Sequence, residues 1–369
     1  MAFLFGRSRE KSAVDVVRTT RDLLQRFHSI SLQNTPAVEK VANDTGRNLA
    51  LMKVMLQGTT EVEPNPEQVL QVVELILQED VLRELILNVK LLHFEARKDA
   101  QVVLTNVLRY KRPGDLAGEP IAIHYIVKDD PGLVRQFCLG YNARESAFPC
   151  GAALREALKY DAITALVLYD EPTDDGRPRD LDRIDPTVPT SEEGIFWNFF
   201  NWIHQREFEV SADAFNTFRD ILTIHKQLVA TYLQTNFETF FHKYHTAFIQ
   251  QGSYVTKRQG LRLLGEVLLD RANYNVMTRY VQSAEFLKIF MTLLRDYRKM
   301  IQYESFHIFK IFIANPTKSP EVERLLINNK ARMLKFLPTF LDDRRDDDQF
   351  LDERTFLLWQ VNQLPDTYV

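Results

Sequence analysis

The sequence predicts an all-α protein built from helical repeats of the armadillo/HEAT type, and three observations lead to this prediction. Glycine accounts for only 13 of the 369 residues and proline for 15, so the chain lacks the frequent turns that a β-sandwich or β-barrel requires. Apolar residues recur at three- and four-residue spacings along most of the chain, which is the period of amphipathic helices. One helical motif also returns at nearly regular intervals.

The repeated motif is a small residue followed by apolar residues at positions +4, +7 and +8, which form one stripe of a helix. Its copies begin at Asn48, Ala100, Cys150, Ala214, Gly260 and Ser305, of which those at Asn48 and Cys150 match less well. The steps from 214 to 260 and from 260 to 305 are 46 and 45 residues, and the step from 100 to 150 is 50. A helical repeat of about 40–47 residues is the armadillo/HEAT spacing.

The step from the copy at 150 to the copy at 214 is longer, at 64 residues, and the excess coincides with a change in composition. Residues 170–193 contain four prolines and nine acids against three bases, a net charge of −6. This composition is typical of a solvated loop. Without these 24 residues the step is 40. We therefore expect one armadillo-like domain, 1–369, with an acidic, proline-rich surface insertion at 170–193.

Each predicted repeat has an apolar stripe that it cannot bury alone, so neighbouring repeats must stack on one another. The expected architecture is a right-handed α-α superhelix, or solenoid, with a concave binding face. A globular all-α domain whose apolar spacing merely imitates a repeat is the alternative that the pattern leaves open.

Charge and cysteine content exclude several classes of protein. Lys and Arg number 46 against 50 Asp and Glu, a net charge of −4, so the whole chain lacks the basic excess that is usual in nucleic-acid-binding domains. No apolar run approaches the roughly 20 residues of a membrane-spanning helix. Cys138 and Cys150 are the only cysteines. Two cysteines make neither a disulfide framework nor a zinc site, which favours a cytoplasmic location.

The sequence contains no GxxxxGK[ST], GxGxxG, GxSxG or HExxH motif. His242 and His245 have the spacing of a ligand pair, but no further ligand is close in sequence, so surface or packing roles are expected. Cys138 and Cys150 lie in apolar stretches and are expected to be buried and inert. The acidic segment around Gly176 does not have the ligand spacing of an EF-hand. We predict no catalytic residues, no cofactor and no metal site.

Candidate binding residues lie beside the repeated motif, on the face that does not pack. Arg258 and Arg262 flank the copy that begins at 260 and are spaced i,i+4, so they share a helix face. The same offsets around the copy at 305 give Tyr303 and His307. Two guanidinium groups beside aromatic groups suit a peptide that carries an aromatic side chain and a carboxylate. The alternative is that the arginines pair with neighbours such as Glu266.

Five stretches of the chain are recognisable: YVTKRQGLRLLGEVLLDRANYNVMTRYV (254–281), FHIFKIFIANPTKSPEVERLL (306–326), MAFLFGRSREKS (1–12), DAFNTFRDILTIHK (213–226) and DDQFLDERTF (347–356). They closely resemble the calcium-binding protein 39 family of mouse-protein-twenty-five-like scaffolds. The fungal members of this family are conidiophore-development proteins of the HymA type. The similarity runs nearly from end to end.

The resemblance implies a non-catalytic scaffold that binds a Ste20-related or germinal-centre kinase or pseudokinase and holds its kinase domain in an active conformation. In fungi, such a scaffold serves an NDR-kinase network for cell polarity, morphogenesis and cell separation. We therefore expect a cytoplasmic signalling protein, concentrated at growth or septation sites. We also expect a monomer by itself, with neither nucleic-acid nor membrane partners.

The resemblance also implies particular binding residues. In the family, a groove near the C-terminus binds the C-terminal Trp-Glu-Phe tail of a partner, and Arg258, Arg262 and Met291 match its residues. Arg262 stands where the animal proteins carry lysine, which keeps the charge. Arg271 and Tyr274 match an arginine and an aromatic residue that contact the kinase domain on the concave face. A general armadillo-type peptide adaptor, without any effect on kinase activity, is the alternative function.

Overall fold

The structure, a computed structural model, describes residues 11–31, 33–114, 118–172 and 181–367. In these ranges it contains nineteen α-helices, several short 3-10 turns and a π-helical turn at His245–Gln250, and no β-strand. Residues 1–10, most of the recognisable stretch MAFLFGRSREKS, lie outside the described residues. So do positions 173–180 of the predicted insertion, including Gly176.

The chain falls into two compact units, divided between Ile224 and His225. The helices of the first unit are α1 (Ala13–Ser29), α2 (Thr35–Gln57), α3 (Pro66–Gln78), α4 (Val81–Asn88), α5 (Phe94–Arg109), α6 (Ile121–Lys128), α7 (Gly132–Leu139), α8 (Arg144–Ala157), α9 (Asp161–Leu168), α10 (Phe199–Trp202) and α11 (Phe208–Thr223). Those of the second unit are α12 (Lys226–Thr235), α13 (Phe237–Tyr244), α14 (Tyr254–Leu269), α15 (Tyr274–Tyr280), α16 (Ala284–Leu293), α17 (Lys299–Ala314), α18 (Pro320–Phe336) and α19 (Asp348–Gln363). The expectation of a single domain, 1–369, stays a prediction.

Serine caps set the starts of three helices that matter for the candidate site. The hydroxyl oxygens of Ser253, Ser283 and Ser319 each accept a hydrogen bond from a backbone N–H in the first turn of α14, α16 and α18. A cap of this kind satisfies one of the N–H groups that a helix start leaves without a partner, and its loss costs about 1 kcal/mol. Pro320 follows Ser319 as the first residue of α18, a position at which a missing N–H is harmless.

Equivalent helices of successive repeats pack on one another within each unit. In the first unit α2 packs on α5, α5 on α8 and α8 on α11, and in the second α14 packs on α17 and α17 on α19. We call these the ladder helices. They carry the small residue of every predicted motif copy, and all of these residues are buried: Asn48, Ala100, Cys150, Ala214, Gly260 and Ser305. The prediction of an all-α fold of armadillo/HEAT-like repeats is confirmed.

Ion pairs between successive ladder helices show the same period as the motif. The pairs are Lys53–Asp99, Arg109–Glu156 and Arg258–Glu304, with separations of 46, 47 and 46 residues. Each pair joins one ladder helix to the ladder helix of the next repeat. The sequence separation of these ion pairs therefore matches the repeat length predicted from the apolar stripes.

Gly260 shows why the motif begins with a small residue. A Cβ atom at this position would lie 2.8 Å from Cβ of Phe248, which is buried in the π-helical turn before α14. The hydroxyl of Tyr244 donates a hydrogen bond of 2.7 Å to the carbonyl oxygen of Gly260. Both contacts require the backbone of α14 to approach closely, which a side chain would prevent.

A buried polar cluster joins α8 to α11 in the first unit. Arg155 donates two hydrogen bonds to the carboxylate of Asp213, of 2.8 and 2.9 Å, and a third of 2.8 Å to the hydroxyl of Thr217. The hydroxyl of Tyr141 donates to Asp213 at 2.7 Å. Burial raises the pKa of Tyr141 well above its ordinary value, so this phenol remains a hydrogen-bond donor.

Two carboxylates hold the base of the predicted insertion. Asp170 accepts hydrogen bonds from Arg135 and, at 2.7 Å, from the backbone N–H of Ile195. Glu171 accepts one of 2.6 Å from the backbone N–H of Ser191. In the described part of the insertion beyond its base, positions 181–193, no residue is buried.

Shortening residues 172–190 to a Gly/Ser bridge is therefore expected to change the melting temperature by less than about 4 °C, corresponding to about 1 kcal/mol. The physical reason is that none of the described residues in this stretch contributes to the core. Thermal unfolding followed by circular dichroism measures the effect. A longer deletion that also removes Asp170 and Ile195 is the control and should be clearly destabilising. A large loss from the short deletion would show that the insertion packs.

Candidate partner-binding site

A groove of about 1160 Å³ is formed by α16, α17 and α18 of the second unit. Its apolar walls include Met291 of α16, Phe309 of α17, and Leu325, Met333 and Phe336 of α18. Met291 is half-buried, so part of its side chain is accessible from the groove. Concave apolar surfaces of this size are suited to bury the large side chains of a ligand.

Four cations border the groove: Lys288 and Arg295 beside Met291, and Arg332 and Lys335 on α18. All four are exposed, and their side chains make no ion pair or hydrogen bond with any described residue. Among the described residues that line the groove there is no acid. An uncompensated positive charge over an apolar floor favours a ligand that is both anionic and apolar.

Helical spacing explains how these side chains come together. On the α16 side, Lys288, Met291 and Arg295 follow the pattern i, i+3, i+7, and on α18 Arg332 and Phe336 are spaced i,i+4. Both patterns place side chains on one face of a helix. The family resemblance named Met291, but neither it nor the residue pattern pointed to the four cations. The signal that could have found them is a basic stripe without acids on each of two amphipathic helices, α16 and α18, that flank α17 in the chain.

Arg258 and Arg262 lie on α14 and are not among the residues that line the groove. Arg258 donates from Nε to Glu304 on α17 over 3.4 Å, with 42% of its side chain exposed. The alternative of pairing with a neighbour therefore holds for Arg258, although the partner is Glu304 and not Glu266. Arg262 is exposed, and its side chain has no partner within the described part of the chain.

Tyr303 and His307 lie on α17, on the side that contacts α19. The hydroxyl of Tyr303 donates to Asp347 at 3.3 Å, and His307 Nδ1 lies 3.4 Å from a carboxylate oxygen of Glu353. Burial lowers the pKa of His307. Phe309 of the groove, two residues further along, points about 200° around the helix from His307. Tyr303 and His307 therefore do not share a surface with the groove.

Arg271 and Tyr274 lie in the connection from α14 to α15 and at the start of α15. Tyr274 is 65% exposed, and Leu269, the last residue of α14, is 61% exposed. Arg271 is exposed, and its side chain has no partner in the described ranges. With Arg258 and Arg262, these residues form what we call the α14 surface: Arg258, Arg262, Leu269, Arg271 and Tyr274. The seven predicted residues thus occupy three places, and their roles in binding stay predictions.

The histidines and cysteines have the packing or surface roles that the sequence predicts. His242 is exposed, while His245 is buried, with its Nε2 2.7 Å from the hydroxyl of Tyr280. Burial lowers the pKa of His245 to about 4. Cys138 and Cys150 are buried free thiols, and burial raises the pKa of both. The described residues contain no cluster of three side chains suited to a metal ion, and none of their helices is long and apolar enough to cross a membrane.

Comparison with known proteins extends over nearly the whole chain. A model of the Mo25-like family matches residues 3–365. The conidiophore development protein hymA of Emericella nidulans is 51% identical over 366 residues, which are 99% of this chain and 94% of that protein. The Mo25-like protein of Schizosaccharomyces pombe is 37% identical over 99% of this chain and 100% of its own. Human calcium-binding protein 39-like is 33% identical over 99% and 98%. This chain therefore belongs to the Mo25-like family.

Proposed function

We propose that this protein is a non-catalytic scaffold that binds a Ste20-related or germinal-centre kinase or pseudokinase and stabilises its active conformation. The observation that carries the proposal is the groove around Met291, with apolar walls and four cations that have no partner among the described residues. Membership of the Mo25-like family supports it.

The groove suits the C-terminal tail of the partner, with a sequence like Trp-Glu-Phe. The aromatic side chains of such a tail bury apolar area against the partly exposed Met291, Leu325 and Phe336, and aromatic anchors in pockets dominate many interfaces. Its two carboxylates, from the glutamate and the C-terminus, reach Arg332 and Lys335 of α18, and the guanidinium of Arg332 can bind a carboxylate through two parallel hydrogen bonds. Since Arg258 and Arg262 do not line the groove, we now assign them to the second contact.

The second contact is the α14 surface, which suits the kinase domain of the same partner. Exposed Leu269 and Tyr274 supply apolar area, and Arg262 and Arg271 supply charges that no described side chain neutralises. A partner held at two places gains affinity because the second binding event becomes intramolecular. It can also be held in one conformation, because the scaffold binds that conformation better than the others.

The names of the relatives favour a place in morphogenesis. The similar protein of Emericella nidulans is named for conidiophore development. We propose a role in a polarity and morphogenesis pathway with an NDR kinase. The protein would act in the cytoplasm, concentrated at growth or septation sites, as a monomer that binds other proteins and neither nucleic acid nor membranes.

Adding the purified protein to a germinal-centre kinase that ends in a Trp-Glu-Phe-like tail is expected to raise kinase turnover. Replacing Arg271 and Tyr274 together by alanine should lower this activation by about tenfold or more, because two exposed interface side chains are lost. Binding of the isolated tail peptide should not change, since neither residue lines the groove. Replacing exposed Tyr297, which belongs to neither surface, by alanine is the matched control and should leave activation intact.

The general peptide adaptor is the second candidate function, and the groove alone would be sufficient for it. The same assay separates the two functions. An adaptor would bind the tail peptide but leave kinase turnover at its basal rate. That outcome would overturn the scaffold proposal while keeping the groove as a peptide site.

A further inference from the structure

The groove carries more positive charge than the proposed tail can neutralise. Its described lining has four cations and no acid. A tail that ends in Trp-Glu-Phe supplies two negative charges at the anchor, one from the glutamate and one from the terminal carboxylate. Two cations then remain without a counter-charge in the complex.

On and beside α16, α17 and α18, the described cations whose side chains have no partner are those of the groove. Other cations on or beside the same helices have acidic partners: Lys330 of α18 lies 2.6 Å from a carboxylate oxygen of Asp366, and Arg298 lies 2.7 Å from one of Asp296. Arg295 and Arg332 have no such partner among the described residues. Cations gathered on one side of a surface and left unpaired raise the local concentration of an anionic ligand and fix its orientation.

We infer that the groove binds a tail that carries a phosphorylated serine or threonine beside its aromatic anchor more tightly than the unphosphorylated tail. The inference rests on the proposed function and names a means by which tail binding is regulated. A phosphate monoester carries a charge of about −1.5 to −2 at neutral pH and three acceptor oxygens. It therefore matches the two cations that the anchor leaves over.

Guanidinium groups suit this ligand better than ammonium groups do. Arg295 presents a planar pair of N–H donors that matches the oxygens of a phosphate, and Lys288 adds a point charge beside it. The apolar walls displace water beside them, which strengthens the attraction relative to a fully solvated pair. Lys288 and Arg295 are spaced i,i+7 and border the groove on the α16 side, which leaves Arg332 and Lys335 of α18 to the two carboxylates of the anchor.

The test uses fluorescein-labelled ten-residue peptides that end in Trp-Glu-Phe, titrated with the full chain by fluorescence polarisation. A serine stands one, two or three residues before the tryptophan, and each peptide is made with and without the phosphate. At low salt, at least one phosphorylated peptide is expected to bind about tenfold more tightly than its unphosphorylated form, which is the effect of one added charge-assisted contact. The gain should shrink as salt is raised, because the charges lie at the surface.

Two variants with equal loss of charge show where the phosphate binds. Lys288→Gln with Arg295→Gln should abolish the gain from phosphorylation. Lys299→Gln with Arg345→Gln removes the same charge outside the groove and should keep the gain. The inference is overturned if no phosphorylated peptide binds more tightly than its unphosphorylated form. It is also overturned if the groove variant keeps the gain in affinity. If none of the peptides binds, with or without the phosphate, the proposed function fails as well. The failure of the inference alone is therefore distinct from the failure of both.

Discussion

Replacing Met291 and Arg332 together by alanine is expected to lower the affinity for a Trp-Glu-Phe tail peptide by about a hundredfold or more. Truncating a buried hot-spot side chain costs at least about 2 kcal/mol, and a hydrogen bond to a charged group is worth roughly 1.5–3 kcal/mol. Tenfold in affinity corresponds to about 1.4 kcal/mol. Peptide titration by fluorescence polarisation measures the change, and circular dichroism shows that the variant is folded.

The matched control is Arg258→Ala, which removes an arginine of the same unit that does not line the groove. Its effect on tail affinity should be less than about threefold, because a charge outside the groove that already pairs with Glu304 contributes little to a ligand in the groove. This control also separates two assignments of the tail. Equal losses of tail affinity from Arg258→Ala and from Arg332→Ala would show that the tail binds at α14 and not in the groove.

Replacing Asp213 by alanine is expected to destabilise the first unit by about 3 kcal/mol. The change leaves the guanidinium of Arg155 and the hydroxyl of Tyr141 without their shared acceptor, in a place where only 25% of the Arg155 side chain is exposed. Breaking a buried ion pair from one side costs about 3–5 kcal/mol, and the partial exposure argues for the lower end of that range. Chemical denaturation followed by circular dichroism measures the free energy of unfolding.

A double variant tests the cause of this loss. Arg155→Met with Asp213→Leu leaves no charge without a partner, and it should be more stable than the single variant Asp213→Ala. If both variants lose the same amount, packing and not charge explains the effect. A single variant that loses less than about 1 kcal/mol would show that water reaches the cluster.

The repeats were predictable because burial leaves a trace in the sequence. The small residue of each motif copy, such as Ala100 or Ser305, is buried in the core of its unit. A helix that buries one stripe must repeat its apolar residues at the helical period, and a stack of such helices must repeat the whole pattern. The long step between the copies at 150 and 214 was visible for the same reason, since an acidic stretch without an apolar stripe cannot belong to the core.

The binding site was less predictable, because its members come from different helices. Met291 could be named from the resemblance, but Arg295 and Arg332 are 37 positions apart in the sequence and only the packing of α16, α17 and α18 places both at one groove. Arg258 shows the same limit. The local sequence offered Glu266 as an acidic neighbour, yet Arg258 pairs with Glu304, 46 residues away.

By itself, the sequence determined the helical class, the repeat length and the residues that face the core, because these follow from local periodicity and from which side chains avoid water. Only the tertiary structure decided which surface residues meet. Exposed cations carry no periodic signal of their own, and whether a guanidinium is neutralised by a neighbour or left to a ligand depends on contacts between helices that are distant in the chain. The groove around Met291 depends on such contacts, because its lining residues come from α16, α17 and α18.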